Sequence, residues 1–568
     1  MRKTFDAVWG RFVLLLTLPR LPFVLALFAA VLTLPSLWVG LQFDDYLLEQ
    51  SVREAPSLIS AMNNMFVFMD GDVQQAQKNI EDGTYPWFAL PEGKVAFWRP
   101  LSALTHWVDF QVFPQFPVWM HLQNILWFGL GVYLVTIVYR ELLPAPVAGL
   151  AALFFAIDDA HGYAVGWISN RNVLIAFAFG MLSLLLYHRY FKNSGNKKLF
   201  LLFGSAICFS LTIFSAEAGI AIVGYLLAYC WFLLKSSKWK WLTLIPHLFV
   251  FIIWMTFYRM GSYGGWGTSY IDPVRELIPF LLAAFERLPV LTLGFFLYPP
   301  AELYPFVTDI WLKYLWVSAG FGLTVFLGLK IYLTIRKNQN LKFFLVGAVF
   351  SLLLIGSSLP ANRLLFFVGM GSFAALASFL MDGNVQTWVK MPLYVVHLCL
   401  AAFLLPIMSY SPRLFGEIEP AILSAPIKPT VVIVSAPSAF HADFFKLIRL
   451  RYEIEAPERV WNLGASLSSM TIYRQSENTL VINASNGYIS GFDTVFRGNA
   501  HPMFKGQTVN LNGLQVTVQA VTPDGRPAMV GFEFAEPLQS AEYQWLIWKS
   551  NRLIEWNVPE IGQSVHVP

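Results

Sequence analysis

The sequence predicts a polytopic α-helical membrane protein with a mostly β domain at its C-terminal end. Three observations carry this. Of 568 residues, 56% are hydrophobic and only 13% charged, whereas a soluble domain carries about a quarter charged residues. Apolar runs of about 20 residues, the length that crosses a bilayer, recur up to residue 410. From residue 412 the composition changes to charges, Pro/Gly/Asn turns and short strand-like runs.

The apolar runs place spans near residues 18–40, 118–138, 145–158, 171–190, 199–216, 218–234, 241–258, 314–334, 342–358, 362–381 and 391–410, about eleven in all. The segment 276–300, interrupted by Pro279, Glu286, Arg287 and Pro289, is a candidate interfacial or re-entrant pair. Met1-Arg2-Lys3, with Arg11 and Arg20, precedes an apolar run too long for a signal peptide, so that run reads as a retained first span. Short cationic loops mark the cytoplasmic face: Arg189 with Lys192, Lys197 and Lys198; Lys235 with Lys238 and Lys240; Arg336-Lys337 with Lys342. The N-terminus is then cytoplasmic, while loops 41–117, 158–170 and 259–313 and everything after 411 lie outside. The expected setting is a bacterial inner membrane, with residues 1–411 forming the membrane domain and 412–568 a periplasmic β-rich domain.

In that second domain Thr430–Val434, Thr479–Ile482, Thr508–Leu511, Leu514–Val518, Met529–Phe534 and Tyr543–Trp548 read as strands. Asn512-Gly513 is a hairpin turn signal between two of them. No catalytic motif stands out here, and a packing or acceptor-docking role is expected. The three cysteines, Cys208, Cys230 and Cys399, lie in apolar runs and give neither a disulfide framework nor a thiolate site. A net charge of +4 and the lack of a basic tract exclude nucleic acid as a partner.

Polar residues collect on the outer face. Asp44-Asp45 follows the first apolar run. Arg99-Pro100-Leu101 leads to His106 and Asp109, and His121 and Asn124 share a face at the start of the second span. The loop from Asp158-Asp159-Ala160-His161 ends in Asn170-Arg171, Glu217 marks a tight turn, and Arg259 and Arg363 sit at two further span ends. The positive-inside tendency makes outer arginines unusual. Arg99, Arg171, Arg259 and Arg363 at one level suit a phosphate held by guanidinium groups beside an apolar groove, as in a polyprenyl phosphate or a phospholipid. A flippase or transporter of lipid-linked sugars would place its ionisable residues at mid-membrane and show repeat halves, which are not seen. A lipid-headgroup transferase would want a nucleophile or metal cluster in the soluble domain.

The set resembles integral-membrane glycosyltransferases of the GT-C superfamily. An acidic pair after the first helix, Arg-Pro-Leu, His-x-x-Asn opening the second span and a late Arg match in order. The likeness covers residues 12–410 and is closest to the protein O-mannosyltransferase branch that includes the transmembrane TPR-containing mannosyltransferases. Asp159-Ala160-His161-Gly162, Ala216-Glu217 and Asn362-Arg363-Leu364-Leu365-Phe366 carry it. The branch's Lys, Glu and Tyr at three of these positions are here Ala216, Asn362 and Phe366, and no TPR region follows. The resemblance implies sugar transfer from a polyprenyl-phosphate donor to a protein, lipid or glycan hydroxyl. It implies an aspartate as general base, Asp45 in preference to Asp44, with His106, His121, Asn124, His161 and Glu217 around the substrate. No cofactor is expected; Asp44/Asp45 is the place where a divalent metal could bind, but none is predicted because no further ligand spacing supports one.

Overall fold

A computed structural model of the chain describes residues 10–195, 197–234, 238–336, 338–465 and 467–568. Met1-Arg2-Lys3, Lys235 and Lys337 of the cationic segments lie outside the described residues, as does the Lys238 side chain. Among the described residues, seven helices are long and apolar enough to cross a membrane: Leu21–Trp38, Pro117–Leu142, Ile168–Lys192, Trp239–Met260, Leu277–Phe296, Ile310–Tyr332 and Thr387–Ser424. Five shorter apolar helices, Ala145–Ile157, Lys198–Ile213, Glu217–Leu233, Gln339–Ile355 and Phe366–Met381, complete the bundle. Every expected span therefore falls on a helix.

The segment 276–300 differs from the expected pair. It forms one continuous helix, Leu277–Phe296, with Pro289 inside it. Both of its flanks return to the same side of the bundle. Before it, Ile271 N–H bonds Ser357 O at 2.8 Å; after it, Tyr298 Oη bonds Asp159 Oδ2 at 3.1 Å. Its midpoint, Arg287, is still bonded to Gly356 O and Ser358 O. The helix runs along this face, leaving Leu277, Ile278, Leu281, Leu282 and Phe285 exposed.

Above this face the first loop folds into the helices Asp44–Glu54, Leu58–Asn64, Val73–Glu81 and Pro100–Val112. Its strands Val67–Asp70 and Lys94–Ala96 pair antiparallel and take Gly264–Trp266 as a third, tying loop 41–117 to loop 259–313.

Among its described residues, the C-terminal part holds two sheets. Six antiparallel strands run in the order Ser564–Val567, Met470–Arg474, Thr479–Ala484, Pro527–Phe534, Leu514–Val521, Thr508–Leu511. The Asn512-Gly513 hairpin is present, with Leu511 opposite Leu514 and Gly513 at φ +95°. The second sheet is mixed. Thr430–Ser435 pairs parallel with both Arg459–Asn462 and Tyr543–Lys549, and Arg552–Glu555 forms an antiparallel edge. Parallel neighbours need a long crossover. The helix Phe440–Arg451 supplies it, burying Ala442, Phe444, Phe445 and Ile448 against the sheet.

Candidate active site

Asp44 and Asp45 open the helix Asp44–Glu54, and Phe43 just before them is held at φ +47°. A non-glycine residue so placed costs about 1–3 kcal/mol and persists only where its surroundings impose it. Here Phe43 packs between Trp167 at 5.8 Å and Phe492 at 6.3 Å, ring centre to ring centre.

The two carboxylates meet different surroundings. Asp45 is fully buried, and its oxygens accept the Gln42 N–H at 2.9 Å and the Ser169 N–H at 2.8 Å. It ties the start of this helix to the loop after Asp158. Burial pushes its carboxyl up to about 8, against the pull of those two N–H groups. Asp44 is half-buried and, among the described residues, accepts no hydrogen bond on its carboxylate. Burial pushes it up to about 6, while the positive fields of Arg363 and Arg99 pull the other way.

Arg363 lies in the turn Asn362–Leu364. Its guanidinium rests 4.8 Å from the Trp167 ring centre and 5.3 Å from that of Tyr163. Its Nε is buried without a hydrogen-bond partner, and no carboxylate pairs with the guanidinium among the described residues. Its backbone N–H donates to Glu302 Oε1 at 3.0 Å. Arg99 is turned by Glu217, which accepts its Nε at 2.7 Å, and lies over Phe97 and Phe66. Asp44, Arg363 and Arg99 thus share one electrostatic field, which also reaches Tyr270.

Other predicted site residues are committed elsewhere. Arg171 is completely buried and paired with Asp109, and it donates to Asn124 Oδ1 at 2.7 Å and Met120 O at 2.9 Å. It braces two helices and has no face left for a phosphate. Asn124 is the other half of that brace, its amide donating to Val165 O and Trp167 O at 3.1 Å each. His121 reaches Gly40 O at 2.9 Å. Arg259 makes two bonds to Asp272, at 2.6 and 3.4 Å. His106 is fully buried against Phe66, and burial holds its ring well below the usual imidazole range. His161 stacks on Phe366, ring centres 4.1 Å apart, with Asp158 3.8 Å away.

Glu302, Tyr270 and Tyr298 were not anticipated. Glu302 sits in the turn Ala301–Phe306, after the helix Leu277–Phe296, and its Oε2 is buried without a hydrogen-bond partner. The one sequence signal for it is an acid directly after Pro299-Pro300-Ala301 at the end of an apolar run. Among the described residues, no group of three or more His, Cys, Asp or Glu side chains is arranged to hold a metal ion. Asp45 has both oxygens engaged, which leaves Asp44 as the open carboxylate of the pair.

No family model matches the chain. Over 105 residues, 18% of this chain and 12% of the relative, it is 31% identical to protein O-mannosyl-transferase Tmtc1 of Drosophila melanogaster. Over 147 residues, 22% of this chain and 20% of the relative, it is 30% identical to protein O-mannosyl-transferase TMTC4 of Mus musculus. These relatives are sugar transferases. They bear out the resemblance to the O-mannosyltransferase branch read from the motifs. The chain spans 12% and 20% of the length of the two. Among solved structures it is similar to an Archaeoglobus fulgidus oligosaccharyltransferase in complex with Zn and sulfate. That match has 12% identity, covers 78% of this chain and 62% of the other, and has a TM-score of 0.43.

Proposed function

We propose that the protein is a glycosyltransferase that moves a sugar from a polyprenyl-phosphate donor to an acceptor hydroxyl at the outer face of a bacterial inner membrane. Residues 1–411 take the lipid-linked donor, and residues 412–568 cover the acceptor side in the periplasm. The observation that supports this best is Asp44, a carboxylate without a hydrogen bond among the described residues, sharing a field with Arg363, a guanidinium without a carboxylate ion pair among them, at the edge of an apolar helix bundle.

In this reading Arg363 binds the donor phosphate, with Arg99 as a second positive charge oriented by Glu217. Asp44 takes the proton of the acceptor hydroxyl as its oxygen attacks the anomeric carbon. The bond from that carbon to the phosphate oxygen breaks, and the polyprenyl phosphate leaves with the electron pair, its charge met by Arg363. Direct displacement inverts the anomeric centre. Asp45 holds the backbone that aims Asp44.

Purified protein in lipid nanodiscs, given a polyprenyl-phosphate hexose and a panel of hydroxyl acceptors, tests this. Asp44→Asn is expected to lower transfer by at least about 100-fold while polyprenyl phosphate still binds. Arg363→Ala is expected to weaken that binding about tenfold or more. Wild-type transfer by Asp44→Asn would overturn the assignment.

A further inference from the structure

Phe492 belongs to the chain beyond residue 411, yet it packs against the residue that precedes Asp44. It lies in the turn Gly491–Val495 and packs edge-on to Phe306, ring centres 4.9 Å apart, and against Phe43 at 6.3 Å. Phe43 is the residue before Asp44. Phe306 closes the turn that carries Glu302, which holds the Arg363 backbone. The remaining link runs from Phe43 to Trp167 at 5.8 Å and from Trp167 to the Arg363 guanidinium at 4.8 Å. These contacts form a closed circuit: Phe43, Trp167, Arg363, Glu302, Phe306, Phe492 and back to Phe43. Phe492 is the one member that comes from beyond residue 411.

The turn is built to deliver it. Gly491 has φ +57°, and a Cβ there would sit 2.5 Å from the Phe306 ring. Asp493 is fully buried and accepts the Ser438 hydroxyl at 2.7 Å and the Ala439 N–H at 2.9 Å, fastening the turn to the start of the helix Phe440–Arg451. Phe492 itself is half-buried, so most of its neighbours can be kept when it is replaced.

We infer that Phe492 is a positioning residue: it wedges between the Phe43 and Phe306 segments and sets the separation of Asp44 from Arg363, making the C-terminal domain part of the active site. This rests on the roles given to Asp44 and Arg363 above. Phosphate binding needs only the Arg363 side of the circuit, whereas transfer needs both sides at a fixed distance.

The test uses the full-length protein in nanodiscs with Phe492→Ala, Phe492→Tyr and Gly491→Ala. Phe492→Ala is expected to cut kcat at least tenfold and to leave the affinity for polyprenyl phosphate within twofold, with the thermal midpoint little changed. Phe492→Tyr keeps the ring and is expected to restore most of kcat. Gly491→Ala is expected to reproduce the kcat loss by pushing the turn off Phe306. Unchanged kcat in Phe492→Ala, or equal loss in the alanine and tyrosine variants, would overturn the wedge. Failure of the underlying reading shows separately, as an active Asp44→Asn.

Discussion

Asp44 and Asp45 differ by one position in the chain and by two backbone hydrogen bonds. Those bonds are the ground for proposing Asp44 as the base where the sequence favours Asp45: the Asp45 carboxylate already accepts two N–H groups, and that of Asp44 is open. If Asp44 is the base, activity requires its ionised form. With its carboxyl raised to about 6, kcat/KM is expected to fall tenfold per unit as pH drops below that value. Arg99 contributes a field that lowers the Asp44 carboxyl. Arg99→Gln is therefore expected to move this acidic limb to higher pH, which a pH–rate profile reads directly; a limb that moves down or stays fixed contradicts the pairing. Replacing Asp45 by Asn acts through structure. It leaves one of two buried N–H donors without an acceptor, costing about 1–3 kcal/mol in the melting of the purified protein. The sequence showed the acidic pair and the outer arginines but not this division of labour. Arg171 and Arg363 look alike in a string of letters. Asp109, in a helix more than 50 positions upstream of Arg171, is what distinguishes them.

Helices and strands were legible where their period was long and clean. The spans followed from apolar runs, and four of the six strands of the antiparallel sheet from alternation bounded by turns, whereas Met470–Arg474 and Ser564–Val567 were not read from the sequence. The helix Phe440–Arg451 was missed although Phe440, Phe444, Phe445 and Ile448 recur at helical spacing. Its mixture of Arg, Lys, Asp and His obscured the stripe inside a region dominated by strand signals. The short helix Ala160–Gly166, which carries His161, depends on features no periodicity shows. Gly162 and Gly166 let it approach the helix Ala401–Gly416, and a Cβ on Gly166 would lie 2.1 Å from Ser409 O. Gly166→Ala is expected to lower stability by about 1–3 kcal/mol through this overpacking. It should also disturb Trp167 and hence the seat of Arg363, which thermal melts combined with polyprenyl phosphate binding would show. A fully stable variant with normal binding would contradict the close approach.

At the scale of the whole molecule, the C-terminal region and the first loop are interlocked. Arg497 donates to Phe88 O at 2.7 Å, Leu90 N–H bonds Phe496 O at 3.0 Å, and Asn512 N–H bonds Glu81 O at 2.8 Å. The helix bearing Asp44 is gripped as well. Glu49 accepts Arg451 Nε at 2.7 Å with both side chains nearly buried, and Tyr46 donates to Glu419 at 2.7 Å. Removing one partner of a buried pair typically costs about 3–5 kcal/mol, more than replacing both. Glu49→Gln and Arg451→Met are therefore expected to destabilise singly and to recover part of the loss together. A double-mutant cycle on the melting curves measures this, and strict additivity would count against a coupled pair. A composition change at residue 412 was visible in the sequence, but long-range interlocking has no local signature.

The helix Leu277–Phe296 returns to the side it left, and this has a topological consequence. An element that does not cross leaves the parity of the chain unchanged. Were it to cross, Glu302 would be separated from Arg363 by about 30 Å of hydrocarbon, and the backbone bond between them could not form. The same parity keeps the segments that carry Asp44, Asp159 and Glu302 on one face of the bundle, where the chain after Arg413 also packs. A single half-turn of topology, rather than any one side chain, decides whether Asp44, Arg363 and Phe492 can meet at all.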